Sequence, residues 1–116
     1  MAYDRVKYDF NDVVFGKTML AVQFTVLKNA VAIDLTDATI VMEIESKKTK
    51  KRYNWSTDSE LSITNAASGI FQVDQQTISL PVDSYGYGIT FNLANGTIFE
   101  YIYGNLNVLD LTPNGG

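Results

Sequence analysis

Along residues 40–45 apolar and polar positions alternate: Ile40, Met42 and Ile44 share one parity, and Val41, Glu43 and Glu45 the other. Side chains of a strand point to opposite faces with period two, so this pattern predicts a half-buried strand. The same period recurs in residues 18–27, where Leu20, Val22, Phe24 and Val26 alternate with Ala21, Gln23 and Thr25. It recurs again in residues 84–93, where Tyr85, Tyr87, Ile89, Phe91 and Leu93 fall on one face. Leu61 with Ile63, Phe71 with Val73, and Ile78 with Leu80 mark shorter pieces. Pro81 ends the last of these, because proline cannot donate to a central ladder. The alanine-containing piece at 64–69 is too short for a helix and stops at Gly69.

Turn signals separate these runs. They are Lys28-Asn29, the polar knot at 34–39, Asn65 to Gly69, and Asn95-Gly96, whose two residues both tolerate positive φ and mark a hairpin. The strand at 40–45, a charged tip at 46–52 and the β-prone Tyr53-Asn54-Trp55 predict a second hairpin. Short strands with regular turns predict an all-β fold, an antiparallel β-sandwich or a barrel. The length, 116 residues, predicts a single domain over 1–116 with its core at about 6–110 and a fraying tail at 113–116.

The final run carries two apolar sets. Ile98, Ile102, Leu106 and Val108 share one parity; Phe99, Tyr101 and Tyr103 share the other, and Glu100 sits among the isoleucines. A bulge near Gly104 could switch the parity. Otherwise Phe99, Tyr101 and Tyr103 form either an interface to a partner or a face covered by neighbouring strands, since aromatic residues are enriched at interfaces.

Composition narrows the chemistry. There is no cysteine and no histidine, which removes disulfides, thiolate and imidazole metal sites, and serine–histidine or cysteine–histidine nucleophile pairs. Carboxylates remain. Asp9 with Asp12, or Asp34 with Asp37, lack the glycine-punctuated spacing of a calcium loop, so no metal is expected. Spacing alone does not settle paired-carboxylate hydrolysis, but with no other catalytic signal neither a cofactor nor enzymatic activity is expected. The triplets Asn54-Trp55-Ser56 and Asn95-Gly96-Thr97 read as strand and turn chemistry. No run approaches the roughly 18 apolar residues of a membrane helix, and no membrane partner is expected.

The net charge is −4, yet five of the nine basic residues lie in one segment: Lys47, Lys48, Lys50, Lys51 and Arg52, followed by Tyr53 and Trp55. That cluster is either a solvated tip whose charges discourage edge pairing, or a dock for an acidic partner. Nucleic acid is a weaker match, because five charges are few on an otherwise acidic body. Trp55, Tyr85 and Tyr87 are candidate stacking surfaces for a glycan, unless the parity that Tyr85 and Tyr87 share with Phe91 turns them inward.

The order of these pieces carries a resemblance. Asp34-Leu35-Thr36-Asp37-Ala38-Thr39 leads into a strand. Ser68-Gly69-Ile70-Phe71, Ile78-Ser79-Leu80-Pro81, the tyrosine–glycine strand, and Gly104-Asn105-Leu106-Asn107-Val108 follow in order. Over about residues 18 to 110 this resembles the N-terminal Ig-like domain of phage upper baseplate proteins and related phage tail and structural proteins. Asp37 stands where that family's turn has glycine, and aspartate tolerates left-handed backbone better than most residues. The resemblance implies an Ig-like antiparallel β-sandwich in a virion, made in the host cytoplasm. It implies a tail, baseplate or other adaptor role that acts by assembly with other virion proteins, as a homo-oligomer or in multiple bound copies. The family's fibre or coiled-coil continuation is absent after Gly116, which favours a stand-alone component. The alternatives are a glycan-binding adhesion module of the particle and a capsid decoration protein. The candidate partner interface is Phe99, Tyr101, Tyr103, Lys47, Lys48, Lys50, Lys51, Arg52 and Trp55. The knot at 34–39 is expected to be a structural corner: Asp34 and Thr36 bond backbone, Leu35 tucks between sheets, and Thr39 starts the strand.

Overall fold

The computed structural model describes residues 5–57 and 59–110. In chain order its strands are β1 (Val6–Lys7), β2 (Val13–Val14), β3 (Thr18–Met19), β4 (Val22–Thr25), β5 (Leu27–Lys28), β6 (Val31–Ala32) and β7 (Thr39–Ser46). Then come β8 (Arg52–Ser56), β9 (Leu61–Asn65), β10 (Ile70–Val73), β11 (Gln76–Thr77), β12 (Asp83–Asn92) and β13 (Ile98–Leu109). A single 3-10 turn, Ala66–Ser68, is the helical element among the described residues. The chain is all-β, as the alternation predicts.

The main sheet runs β1-β13-β12-β7-β8, with β2 also beside β13; a second sheet runs β4-β10-β9. Two small pairs, β3 with β11 and β5 with β6, complete the pairing. The main sheet is mixed, which corrects the expectation of a purely antiparallel fold. β1 and β2 lie parallel to β13, with Val6 opposite Ile102 and Val13 opposite Val108. Between these two short pairings the segment stays on β13, the Tyr8 amide donating to the Tyr103 carbonyl at 2.8 Å and the Phe10 amide to the Asn105 carbonyl at 3.0 Å. There Tyr8 and Asp9 pass over Gly104, whose missing side chain leaves room for the Tyr8 carbonyl.

The two larger sheets share one core. Ile40, Met42 and Ile44 of β7 are fully buried, as are Ile89 and Phe91 of β12, Leu61 of β9, and Phe71 and Val73 of β10. Phe91 of the main sheet meets Phe71 of the second sheet edge-on, centroids 5.3 Å apart. Phe71 stacks on Phe24 at 5.3 Å, and Phe91 stacks on Phe99 at 5.2 Å. One aromatic file therefore crosses from sheet to sheet, and such pairs add about 0.5–1.5 kcal/mol each beyond burial.

The predicted strand at 18–27 is broken. β3 pairs with β11 and β4 with β10, so the chain changes partners at Leu20-Ala21. Met19 is buried in consequence and Leu20 is 71% exposed. Ile78 and Leu80 are buried, as their alternation predicts, but they follow β11 and lie outside any strand.

The turns follow their chemistry. Asp34 Oδ1 accepts from the Thr36 amide at 2.9 Å and the Thr36 hydroxyl at 2.6 Å, which closes the expected corner. Leu35 is fully buried, and Asp37 takes φ 59, the left-handed value expected of its glycine-like position. Between β5 and β6 the turn residues are Asn29 and Ala30, both at positive φ. The Asn95-Gly96 hairpin forms with Gly96 alone at positive φ; Asn95 contributes its Oδ1, which accepts from the Thr97 amide at 2.9 Å.

Candidate functional site

The basic hairpin forms where it is predicted, between β7 and β8. Its turn is organised by Ser46, a polar residue buried to 1% exposure. The Ser46 hydroxyl donates to Asp83 at 2.6 Å and accepts from the Lys48 and Thr49 amides at 3.2 and 3.0 Å. That bond, and the Ser84 amide after it, hold the Asp83 carboxyl below its ordinary range. Lys50 then closes the turn at φ 65.

The charges of the tip spread over their own sheet. Lys47 donates to Asn105. Arg52 donates to Glu45 at 3.2 Å and lies 4.0 Å from Glu43. Lys51 sits 5.5 Å from the centre of the Tyr53 ring, and Lys48 adds attraction to Asp83. Lys47, Lys51 and Arg52 therefore have partners on their own sheet, while residues 47–52 all stay exposed to solvent. Trp55 is not part of this surface: it is buried on the core side of β8 at 7% exposure.

The aromatic half of the last strand also turns inward. β12 and β13 pair with a register shift: Ile89 faces Ile102 and Thr90 faces Glu100, leaving Tyr101 as the extra residue. The bulge therefore falls at Tyr101, three residues before the expected place. It lets both apolar sets share one core, with Tyr101 and Ile102 both buried. The Tyr101 hydroxyl accepts from the Leu27 amide at 3.4 Å, and Phe99 stacks on Phe91. Of the predicted interface residues, Tyr101 and Trp55 are buried in the chain's own core, and Phe99, partly buried, packs against it. Tyr103 faces outward and is half-buried beneath the Arg5 guanidinium, 4.1 Å from its ring centre.

The candidate glycan platform meets the same correction. Tyr85, Tyr87 and Trp55 are all buried. The Tyr85 hydroxyl donates to the Pro81 carbonyl at 2.6 Å, and the Tyr87 hydroxyl donates to the Tyr8 carbonyl. Burial raises the Tyr85 phenol to about 12 and pushes Tyr87 higher still.

The acids act as structural acceptors. Asp9 accepts from the Asn105 amide and side chain, both at 3.0 Å, and Asp12 accepts from Asn107 at 3.2 Å. These bonds fasten the segment between β1 and β2 to β13. Thr36 bonds lower the Asp34 carboxyl, the side-chain bond contributing most. Among the described residues, no three carboxylates gather as a metal site, and every buried side-chain polar atom has a partner.

A broad, open concavity lies on the outer face of the main sheet, and two of the predicted contact residues, Arg52 and Tyr103, stand in its walls. Tyr85 and Tyr87 point inward, so Gly86 and Gly88 point outward and leave a trough along β12 of about 430 Å³. Glu43, Glu45 and Arg52 form one wall; Glu100, Arg5 and Tyr103 form the other. Arg5 pairs with Glu100 across 95 residues of sequence. The signal that could have found this trough is the Tyr-Gly-Tyr-Gly repeat of 85–88, since placing the tyrosines inward strips one outward row of side chains.

The sequence matches no protein-family model, and no curated protein sequence matches it.

Proposed function

We propose that this chain is a structural protein of a phage particle, with an Ig-like fold, acting by protein–protein assembly in the tail, the baseplate or a related adaptor. The strand orders β13-β12-β7-β8 and β4-β10-β9 correspond to the GFCC′ and BED sheets of an Ig-like sandwich. The bond from Tyr85, early in β12, back to Pro81 has the form of that fold's tyrosine corner. The parallel β1 and β2 extend the first of these sheets beyond β13.

The observation that carries the assembly reading is the apolar surface. Leu20, Val31 and Ile98 are each about two-thirds exposed or more, at 71, 67 and 66%, and Phe15 and Val82 are each half exposed. Single exposed apolar residues are ordinary, and Val82 and Ile98 stand at opposite ends of β12, so these five are separate candidate contact points on the domain and not one patch. The proposed partners are other virion proteins and further copies of the chain. The exposed basic residues Lys47, Lys48, Lys50, Lys51 and Arg52 of the tip are the proposed contacts for an acidic partner surface.

Quantitative mass spectrometry of purified particles tests the reading. Abundance near that of the major capsid protein assigns shell decoration, and abundance near that of a tail-hub protein assigns a baseplate or neck part. Complete absence from the particle overturns the proposal.

A further inference from the structure

At Gly86 the backbone leaves room for at least an alanine, with the Gly104 carbonyl and the Lys47 side chain at contact distance. A side-chain carbon built there meets nothing closer than 4.0 Å, and its backbone is not in the left-handed region. Glycine in a strand interior weakens the strand, and it often marks a place where a ligand or another backbone comes close. Gly88 differs, because the Glu100 carboxylate lies over it. Gly86, with the Lys47 side chain beside it, and the Glu100 carboxylate lying over Gly88 form the floor of the trough, between strands about 10 Å apart, two strand spacings.

The chemistry of the walls selects the ligand. Each wall places carboxylate acceptors beside guanidinium donors, already paired: Arg52 with Glu43 and Glu45, and Arg5 with Glu100. A charged ligand would meet like and opposite charge side by side. Neighbouring hydroxyl groups, each both donor and acceptor, match such a row. The floor gives no backbone partner to a peptide strand, since β12 is paired with β7 on one side and β13 on the other. Recognition must come from the wall side chains, whose ion pairs are exposed and so leave their donors and acceptors open to a ligand.

We infer that the trough over Gly86 and Gly88 binds a neutral oligosaccharide, gripped by Glu43, Glu45 and Arg52 on one wall and by Arg5, Glu100 and Tyr103 on the other. This site differs from the buried tyrosines and tryptophan, and it stands whether or not the chain belongs to a particle.

The test is an amide-resolved NMR titration of the full chain with neutral oligosaccharides (cellotriose, maltotriose and chitotriose first, then hits from a glycan array). The expected result is saturable binding of at least one sugar, with shifts centred on Gly86, Gly88 and Tyr103. Gly86→Val fills the floor and should weaken that binding at least tenfold while leaving the unfolding midpoint in urea in place. Glu43→Ala removes a weakly held wall carboxylate and should weaken binding severalfold with the fold intact. Absence of binding across the array overturns the inference. So do shifts that map elsewhere, binding that survives Gly86→Val, or concentration-dependent shifts at Gly86 without sugar, which would assign the trough to a second copy of the chain.

Discussion

The Tyr85 hydroxyl reaches back four residues to donate to the Pro81 carbonyl at 2.6 Å, and its ring is buried to 1% exposure. One side chain thus fastens the chain's entry into β12 and supplies part of the core. Tyr85→Phe keeps the ring and removes the donor. The expected loss is about 1–2 kcal/mol, the range for a hydrogen bond whose partner stays behind. Urea unfolding measures it; an unchanged midpoint would mean that the corner contributes nothing.

The same tyrosine sets an alkaline limit. Its folded value of about 12 lies above the ordinary tyrosine value of about 10, mainly through burial, and Tyr87 is raised for the same reason. Above about pH 10 the unfolded chain loses these protons while the folded chain keeps them, so stability falls as pH rises toward the folded values. Absorbance titration of phenolate should show two late groups that ionise together with unfolding.

At the acid end the sign reverses. Asp34 and Asp83 are lowered by bonds from Thr36 and Ser46 respectively. Their stabilisation is complete above the unfolded aspartate value and is lost as pH falls through the lower folded values. Ser46→Ala should raise the Asp83 carboxyl in a carbon-detected NMR titration and leave Asp34 where it was. If Asp83 does not move, the Ser46 bond is not what lowers it.

Tyr101 discriminates core from interface. Tyr101→Asp would bury a carboxylate beside Phe91 and should cost about 3–5 kcal/mol, enough to unfold much of the chain. Tyr101→Phe gives up only a long 3.4 Å bond and should cost under about 1 kcal/mol. Circular dichroism with thermal melts separates the two. A folded Tyr101→Asp variant that had merely lost assembly would return Tyr101 to the surface.

Gly104 controls the segment beside β13. A side chain there would collide with the Tyr8 carbonyl, a backbone atom that cannot swing aside. Gly104→Ala should cost about 2–3 kcal/mol, the upper range for overpacking. Hydrogen exchange should speed most at the Tyr8 and Phe10 amides, which donate to Tyr103 and Asn105. Uniform acceleration across both sheets would mean that the segment does not detach on its own.

Local periodicity and turn chemistry determined much of this molecule. The inward faces of β7 and β12, the two hairpins, the buried Leu35 and the left-handed Asp37 all follow from neighbours within a few residues. A strand's alternation or a turn's side-chain bond is a local event, and the sequence states it directly. What lay beyond reach depends on partners far along the chain. The parallel pairing of β1 and β2 needs β13, some 95 residues later. The break at Leu20 exists because β3 and β4 pair with different strands. The bulge at Tyr101 reconciles two apolar parities by a register shift against β12, and no local rule says at which residue the shift falls. The surface was decided the same way. Whether Trp55 or Tyr101 meets solvent, and whether Glu43 and Glu100 face one another across a glycine floor, depends on which strands become neighbours, and that is settled only when the sheets close on their common core.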